Sequence, residues 1–289
     1  MKSIYKSEAG RDQVLAAYDE ATDCLQAPNR AHRTVQTRFG DTHVLVCGPE
    51  DATPVISFHG GNSFNADTLA WFPDVIDRFR VYAPDTIGHP GRSAETRLSP
   101  GDLSYGEWAA DVMASLGLEH AAALGVSYGA GIIMRLAAVA PRRLDKAALV
   151  VPSGLVKPKT TSMMKMVVPW LRYTVSPSRA NVVRMLQPLF ADDPVGDEVV
   201  DTLGVIFQNV RIETGLPRPA DAHELTGLDA PVLVLAAELD LLFPASRVNP
   251  RAQEIIPQLA AAEQIDGSGH YPSPEARQRI SERVAEFLS

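Results

Sequence analysis

The sequence predicts an α/β domain: a mostly parallel central sheet with helices on both faces and one helical insertion. Three observations carry that reading. After an opening hairpin pattern, short apolar runs alternate with helix-period segments, as expected of parallel strands joined by helical crossovers. Residues 153–224 interrupt the alternation and hold no convincing strand run. Finally, the loops richest in glycine and reactive side chains follow directly on strand runs, which gathers them at the carboxyl edge of one sheet.

The elements follow in order. Residues 8–25 set Val14, Leu15, Tyr18 and Leu25 along one side of an amphipathic helix. Residues 33–39 and 42–47 alternate as strands, with Gly40-Asp41 as the hairpin turn between them. Residues 54–58 are a buried strand, 67–78 carry helical periodicity, and 80–83 form a strand closed by Pro84-Asp85. A helix over 104–116 leads to the apolar strand 121–124, and a helix over 130–139 ends at Pro141. Strands over 146–151, 231–237 and 263–266 alternate with helices near 246–256 and over 274–288. Residues 1–152 and 225–289 thus form the core, and 153–224 a mostly helical cap above the sheet. The cap is rich in methionine and aromatic residues, and Met163, Trp170, Phe190 and Phe207 are its candidate substrate contacts.

Composition narrows the function. The chain has 289 residues, 45% of them hydrophobic and 21% charged, in the range of a globular protein that buries a large core. A net charge of −8 with no basic run offers no footprint for nucleic-acid phosphates. Cys24 and Cys47 sit in unrelated contexts, with neither metal spacing nor a disulfide framework, which favours a reducing compartment. The first residues lack the apolar core of a signal peptide, and no run of about 18 apolar residues could span a bilayer. A cytoplasmic protein without metal, cofactor or membrane partner is expected, as monomer or homodimer.

The chemistry is concentrated at Gly125-Val126-Ser127-Tyr128-Gly129, a G-x-S-x-G pentapeptide between a strand run and a helix run. A serine on that sharp turn is thrust out of the sheet beside a helix N-terminus, and the flanking glycines remove the Cβ atoms that would clash. A hydroxyl needs a base before it can attack. Of the seven histidines, His270 has the right setting, in the glycine-rich loop Asp266-Gly267-Ser268-Gly269-His270 after the last strand. Asp240, just past the strand 231–237, is the carboxylate that would hold the imidazole, giving the chain order Ser127, Asp240, His270. Glu238 is a rival acid and Asp266 a third. Two backbone N–H groups should receive a developing oxyanion. Tyr128 supplies one, and Gly61 in His59-Gly60-Gly61-Asn62-Ser63 the other, with Asn62 as its substitute and His59 bonding the loop.

With these motifs in order, the chain from Arg33 onward resembles the α/β-hydrolase superfamily. Asp85, Gly88 and Gly91-Arg92-Ser93 resemble its D-x-x-G-x-G-x-S loop, with one extra residue at His89-Pro90. The segment 37–52, together with the N-terminal helix, resembles bacterial carboxylesterases of the naproxen-esterase type. That resemblance implies a helical cap and a serine–acid–histidine triad, the acid being able to be Glu where Asp240 stands here. The expected activity is hydrolysis of small to medium apolar carboxylic esters through an acyl-enzyme on Ser127. A lactone, a thioester or a carbon–carbon bond could be cleaved by the same three residues, because the pocket decides. A slow-turnover ligand-binding or signalling protein is the alternative of another class.

Overall fold

The computed structural model describes residues 3–289. Helix α1 (Glu8–Cys24) begins at Ser7, whose hydroxyl caps it by accepting the Gly10 N–H. Strands β1 (Ala31–Thr37) and β2 (Gly40–Cys47) form the opening hairpin. Its turn is Arg38-Phe39, two residues before the expected Gly40-Asp41, and Gly40 pairs with Thr37 at a φ of 126°. The Thr37 hydroxyl takes the Phe39 N–H and donates to the Gly40 carbonyl, so a threonine rather than a glycine–aspartate pair organises the turn.

Strand β3 (Pro54–Phe58) follows, then two short helices, α2 (Asn65–Leu69) and α3 (Pro73–Arg78), where the periodicity suggested one. Pro73 starts the second helix and stops the first from continuing. Next come β4 (Arg80–Pro84), α4 (Ser104–Ser115), β5 (Ala121–Val126), α5 (Tyr128–Val139) and β6 (Leu144–Val150). Residues 153–224 contain α6 (Thr160–Val175), α7 (Arg179–Leu186) and α8 (Asp197–Asn209), and among the described residues no named strand. The chain returns through β7 (Val232–Ala237), α9 (Ala245–Ile255), β8 (Leu259–Ile265) and α10 (Pro274–Leu288).

The eight strands lie in the order β1-β2-β4-β3-β5-β6-β7-β8. Only β2 runs against its neighbours, pairing antiparallel with β1 and β4, and the other pairings are parallel, so β3, β4, β5, β6, β7 and β8 present their carboxyl ends on one edge. β5 is buried along its whole length, as a central parallel strand covered on both faces must be. One apolar core fills each face: Phe58, Trp108 and Leu149 mark one, Phe72, Leu124 and Val284 the other. A third cluster joins α1 to the inserted helices through Val14, Tyr18, Tyr173, Leu203 and Ile206.

Two polar networks fix the loops that flank the site. The Asp85 carboxylate accepts from the Tyr18 hydroxyl (3.1 Å), Asn65 Nδ2 (2.7 Å) and the Arg92 N–H (2.8 Å), and meets His43 Nδ1 at 3.1 Å. A Cβ on Gly91 would stand 2.8 Å from that carboxylate, which accounts for the glycine of the Asp85–Ser93 pattern. On the far face, Arg135 of α5 is 1% exposed and meets Glu224 at 3.4 Å. Arg218 also donates to Glu224, and its hydrogen bond, opposed by burial, holds the carboxyl down to about 2. Glu224→Gln should therefore cost about 3 kcal/mol of stability, because Arg135 keeps a buried charge without its partner. The carboxylate's contribution is present above the ordinary range near 4.5 and is lost as pH falls towards 2. Urea unfolding of both proteins from pH 7 down to pH 3 checks this: the difference in stability should shrink below about pH 4.5, with part of it remaining at pH 3.

Candidate active site

Ser127 has φ 51° and ψ −109°, a conformation an L-residue adopts only under constraint. The constraint is visible on both sides. Its N–H donates to Val150 of β6, and its carbonyl accepts from the N–H and the hydroxyl of Ser153, at 3.1 and 2.9 Å. A Cβ on Gly129 would lie 2.0 Å from the Phe58 carbonyl oxygen, and one on Gly125 2.6 Å from the Ala130 nitrogen. Glycine at both positions is thus what lets α5 start so close to β3 and β5. The serine sits at the N-terminus of this twelve-residue helix, where the dipole favours negative charge.

The loops after β7 and β8 bring the other two groups. His270 Nε2 lies 2.9 Å from Ser127 Oγ, and His270 Nδ1 lies 2.6 Å from Asp240 Oδ2. The other oxygen of Asp240 accepts the N–H groups of Leu242 (2.7 Å) and Phe243 (3.0 Å). Burial opposes ionisation of this fully enclosed carboxyl, but the imidazole and the two backbone donors outweigh it and keep the group below the usual carboxylate range. An ionised Asp240 only accepts, so Nδ1 carries the imidazole proton and Nε2 faces the hydroxyl as a base. Glu238 stands elsewhere: it accepts the Gly267 N–H at 2.8 Å and so braces the two loops against each other.

Gly61 and Tyr128 both line the cavity in front of Ser127. Among the described residues, neither N–H has a protein acceptor. Asn62 departs from its expected role as a substitute donor. Its N–H is taken by His89 Nδ1 at 3.2 Å, while its side chain clamps the backbone of Glu213, donating to the carbonyl and accepting from the N–H, both at 2.8 Å. His59 bonds the loop as expected: Nδ1 donates to the Gly60 carbonyl and Nε2 accepts the Thr86 N–H. Burial pushes the basicity of both His59 and His89 down, so they are neutral scaffolding.

The cavity has a volume of about 280 Å³ and an apolar wall built from Trp71, Val126, Leu189, Val199, Leu203 and Leu242. Met163, Trp170, Phe190 and Phe207, the expected substrate contacts, are not among the residues that line this cavity. Trp170 and Tyr173 each pack edge to face on Phe207. Phe190 stacks on Tyr271 at 4.8 Å, and Met163 is 41% exposed. The inserted helices thus use most of their aromatic side chains on their own core with α1; from residues 153–224 the cavity is reached by Leu189, by Glu198, Val199, Thr202 and Leu203 of α8, and by Glu213, Gly215 and Leu216 after it.

Wall residues without a local sequence signal come from the β3–α3 region and α10. Arg277 lies over Trp71, its Cζ 4.8 Å from the ring centroid, and Asp67 sits nearby. Burial, opposed by the Phe64 N–H and reinforced by Glu198, raises the Asp67 carboxyl to about 6. Only the fold brings these positions together.

Residues 55–283 match the alpha/beta hydrolase family. Carboxylesterase YbfK of Bacillus subtilis is 28% identical over 287 residues, covering 94% of this chain and 92% of that protein. An uncharacterized carboxylesterase of the same organism, nap, is 28% identical over 274 residues, covering 88% and 85%. The crystal structure of naproxen esterase from Bacillus subtilis superimposes with a TM-score of 0.84 at 25% identity, over 98% of this chain and 100% of that one.

Proposed function

The chain belongs to the alpha/beta hydrolase family, and we propose that it is a serine carboxylesterase acting through an acyl-enzyme on Ser127. One observation carries the reading: the unbroken contact from Asp240 through His270 to Ser127, 2.6 and 2.9 Å, at the wall of an apolar cavity. The carboxylesterases to which the chain is similar support the choice of bond.

In this reading Ser127 Oγ attacks the ester carbonyl as its proton passes to His270 Nε2. The carbonyl oxygen becomes an oxyanion received by the N–H groups of Gly61 and Tyr128 and by the positive end of α5. Collapse of the adduct breaks the bond to the alcohol, which leaves with the proton held by His270. Water then repeats the sequence: His270 takes its proton, hydroxide adds to the acyl carbon, and Ser127 leaves with that proton as the acid is released. Asp240 stays ionised throughout and offsets the imidazolium charge. Labelling by a fluorophosphonate, mapped to the peptide carrying Ser127, tests the assignment; a folded protein that resists the probe defeats it.

Residues 153–224 act as a cap in this reading, with α8 as its wall over the cavity. The two free cysteines suit a reducing compartment such as the cytoplasm. The cavity volume sets the substrate range. Short and medium acyl esters fit beneath α8, whereas a long chain must leave Leu203 and Val199 and cross into solvent. A p-nitrophenyl butyrate series extended to palmitate should show kcat/KM falling by roughly 100-fold from the short to the long end. Leu203→Ala, which removes buried wall, should shift the optimum towards longer chains.

A further inference from the structure

Helix α6 is built the wrong way round for a helix at a water surface. Its inner face packs through Trp170 and Tyr173, which is the ordinary use of apolar residues. Its outer face is apolar as well. Met164, Val168, Leu171 and Val175 recur at steps of four, three and four residues, one continuous ridge, and are 58%, 67%, 56% and 86% exposed. Six of the seven large apolar side chains exposed among the described residues lie on this helix. Scattered single residues of this kind need no explanation, but a contiguous ridge does.

Charge identifies the occupant. Residues 153–191 hold six Lys and Arg and no Asp or Glu, whereas the other 21 bases face all 35 acids of the chain. Arg179 is engaged by Asp197 and Asp201. Among the described residues no carboxylate lies within 4.0 Å of Lys157, Lys159, Lys165 or Arg172. Lys165 and Arg172, seven residues apart, flank the same side of the ridge, and Lys157 and Lys159 precede its first turn. The face is therefore apolar at its centre and cationic at its edge. A second copy is a poor match, because a two-fold contact through α6 would set these cations against each other. An anionic lipid surface supplies both complements at once, acyl chains for the ridge and headgroup phosphates for the cations.

We propose that α6 lies in the headgroup plane of anionic membranes, with Met164, Val168, Leu171 and Val175 inserted and Lys165 and Arg172 on the phosphates. Among the described residues no helix is long and apolar enough to cross a bilayer, and an interfacial helix needs no such length. The proposal is independent of the chemistry assigned to Ser127. It adds a place: α6 packs on α7 and, through Trp170 and Tyr173, on Phe207 of α8, the helix that walls the cavity.

The test is sedimentation of the full chain with sucrose-loaded vesicles of phosphatidylcholine alone or with about 30% phosphatidylglycerol, in low salt and in about 0.5 M salt. Partitioning should be on the order of tenfold stronger on the anionic vesicles and collapse in high salt. Val168→Ser/Leu171→Ser changes only exposed positions, so it should fold, keep wild-type turnover of a water-soluble ester, and lose binding by about tenfold or more. Lys165→Gln/Arg172→Gln should remove the preference for the anionic lipid. Equal sedimentation with both vesicles overturns the proposal, as does anionic binding that the serine variant leaves unchanged. A concentration-dependent dimer in light scattering, abolished by that variant, would assign the ridge to a second copy instead.

Discussion

Ser127→Ala should lower kcat on p-nitrophenyl butyrate by roughly 10⁴-fold or more while the protein remains folded. The size follows from what the hydroxyl does. Without Oγ no acyl-enzyme forms, and any residual hydrolysis must come from water, activated by His270, attacking a carbonyl held by the oxyanion donors. Folding should survive because the φ of 51° is set by the backbone bonds to Val150 and Ser153, which alanine keeps. Alanine also carries the same Cβ, so it meets no new clash at the elbow. KM should change little, since the cavity wall is untouched. Comparison of kcat, KM and thermal unfolding for the two proteins decides the matter. A variant with near wild-type turnover would remove Ser127 as nucleophile; one that unfolds would show that the hydroxyl bond to His270 is structural.

The sheet was legible in the sequence because its signal is local. Residues 54–58 and 274–288 carry their own periodicity and end signals, and the structure gives β3 and α10 those bounds. The pentapeptide around Ser127 was legible for the same reason: glycine spacing reports a steric demand that any strand-to-helix elbow imposes. β8 begins at Leu259, four residues before the expected 263, because Ala260-Ala261-Ala262 have low strand propensity and are placed by pairing with β7. The cavity wall was not legible. Trp71 and Arg277 meet over some two hundred residues of chain, and nothing around either reports the other. The packing of the insertion's aromatic residues was not legible either, for a physical reason. An insertion large enough to hold three helices needs a core of its own, and Trp170 and Phe207 were consumed by it together with α1. Asn62 shows the same limit on a smaller scale, because the partners of its N–H and side chain, His89 and Glu213, come from distant loops.

Asp240→Asn should lower kcat by roughly 10³–10⁴-fold, whereas Glu238→Gln should leave it within about threefold. The two acids stand two residues apart at the end of one strand, so the pair separates orientation of the imidazole from bracing of the loops. Asparagine at 240 preserves shape and keeps an oxygen able to accept the N–H groups of Leu242 and Phe243. Its amide nitrogen then faces His270 Nδ1 and donates, which moves the imidazole proton to Nε2. An N–H at Nε2 cannot take the proton of Ser127, and no carboxylate remains to offset an imidazolium. The loss should therefore fall on kcat and be relieved in part at high pH, where hydroxide in solution replaces the missing base. Glutamine at 238 still accepts the Gly267 N–H through its amide oxygen, so the loops stay joined and the triad geometry is kept. Parallel pH–rate profiles of the two variants distinguish the roles. If Glu238→Gln proved the more damaging, the carboxylate 2.6 Å from the imidazole would be a spectator, and the acid of the triad would have to be reassigned.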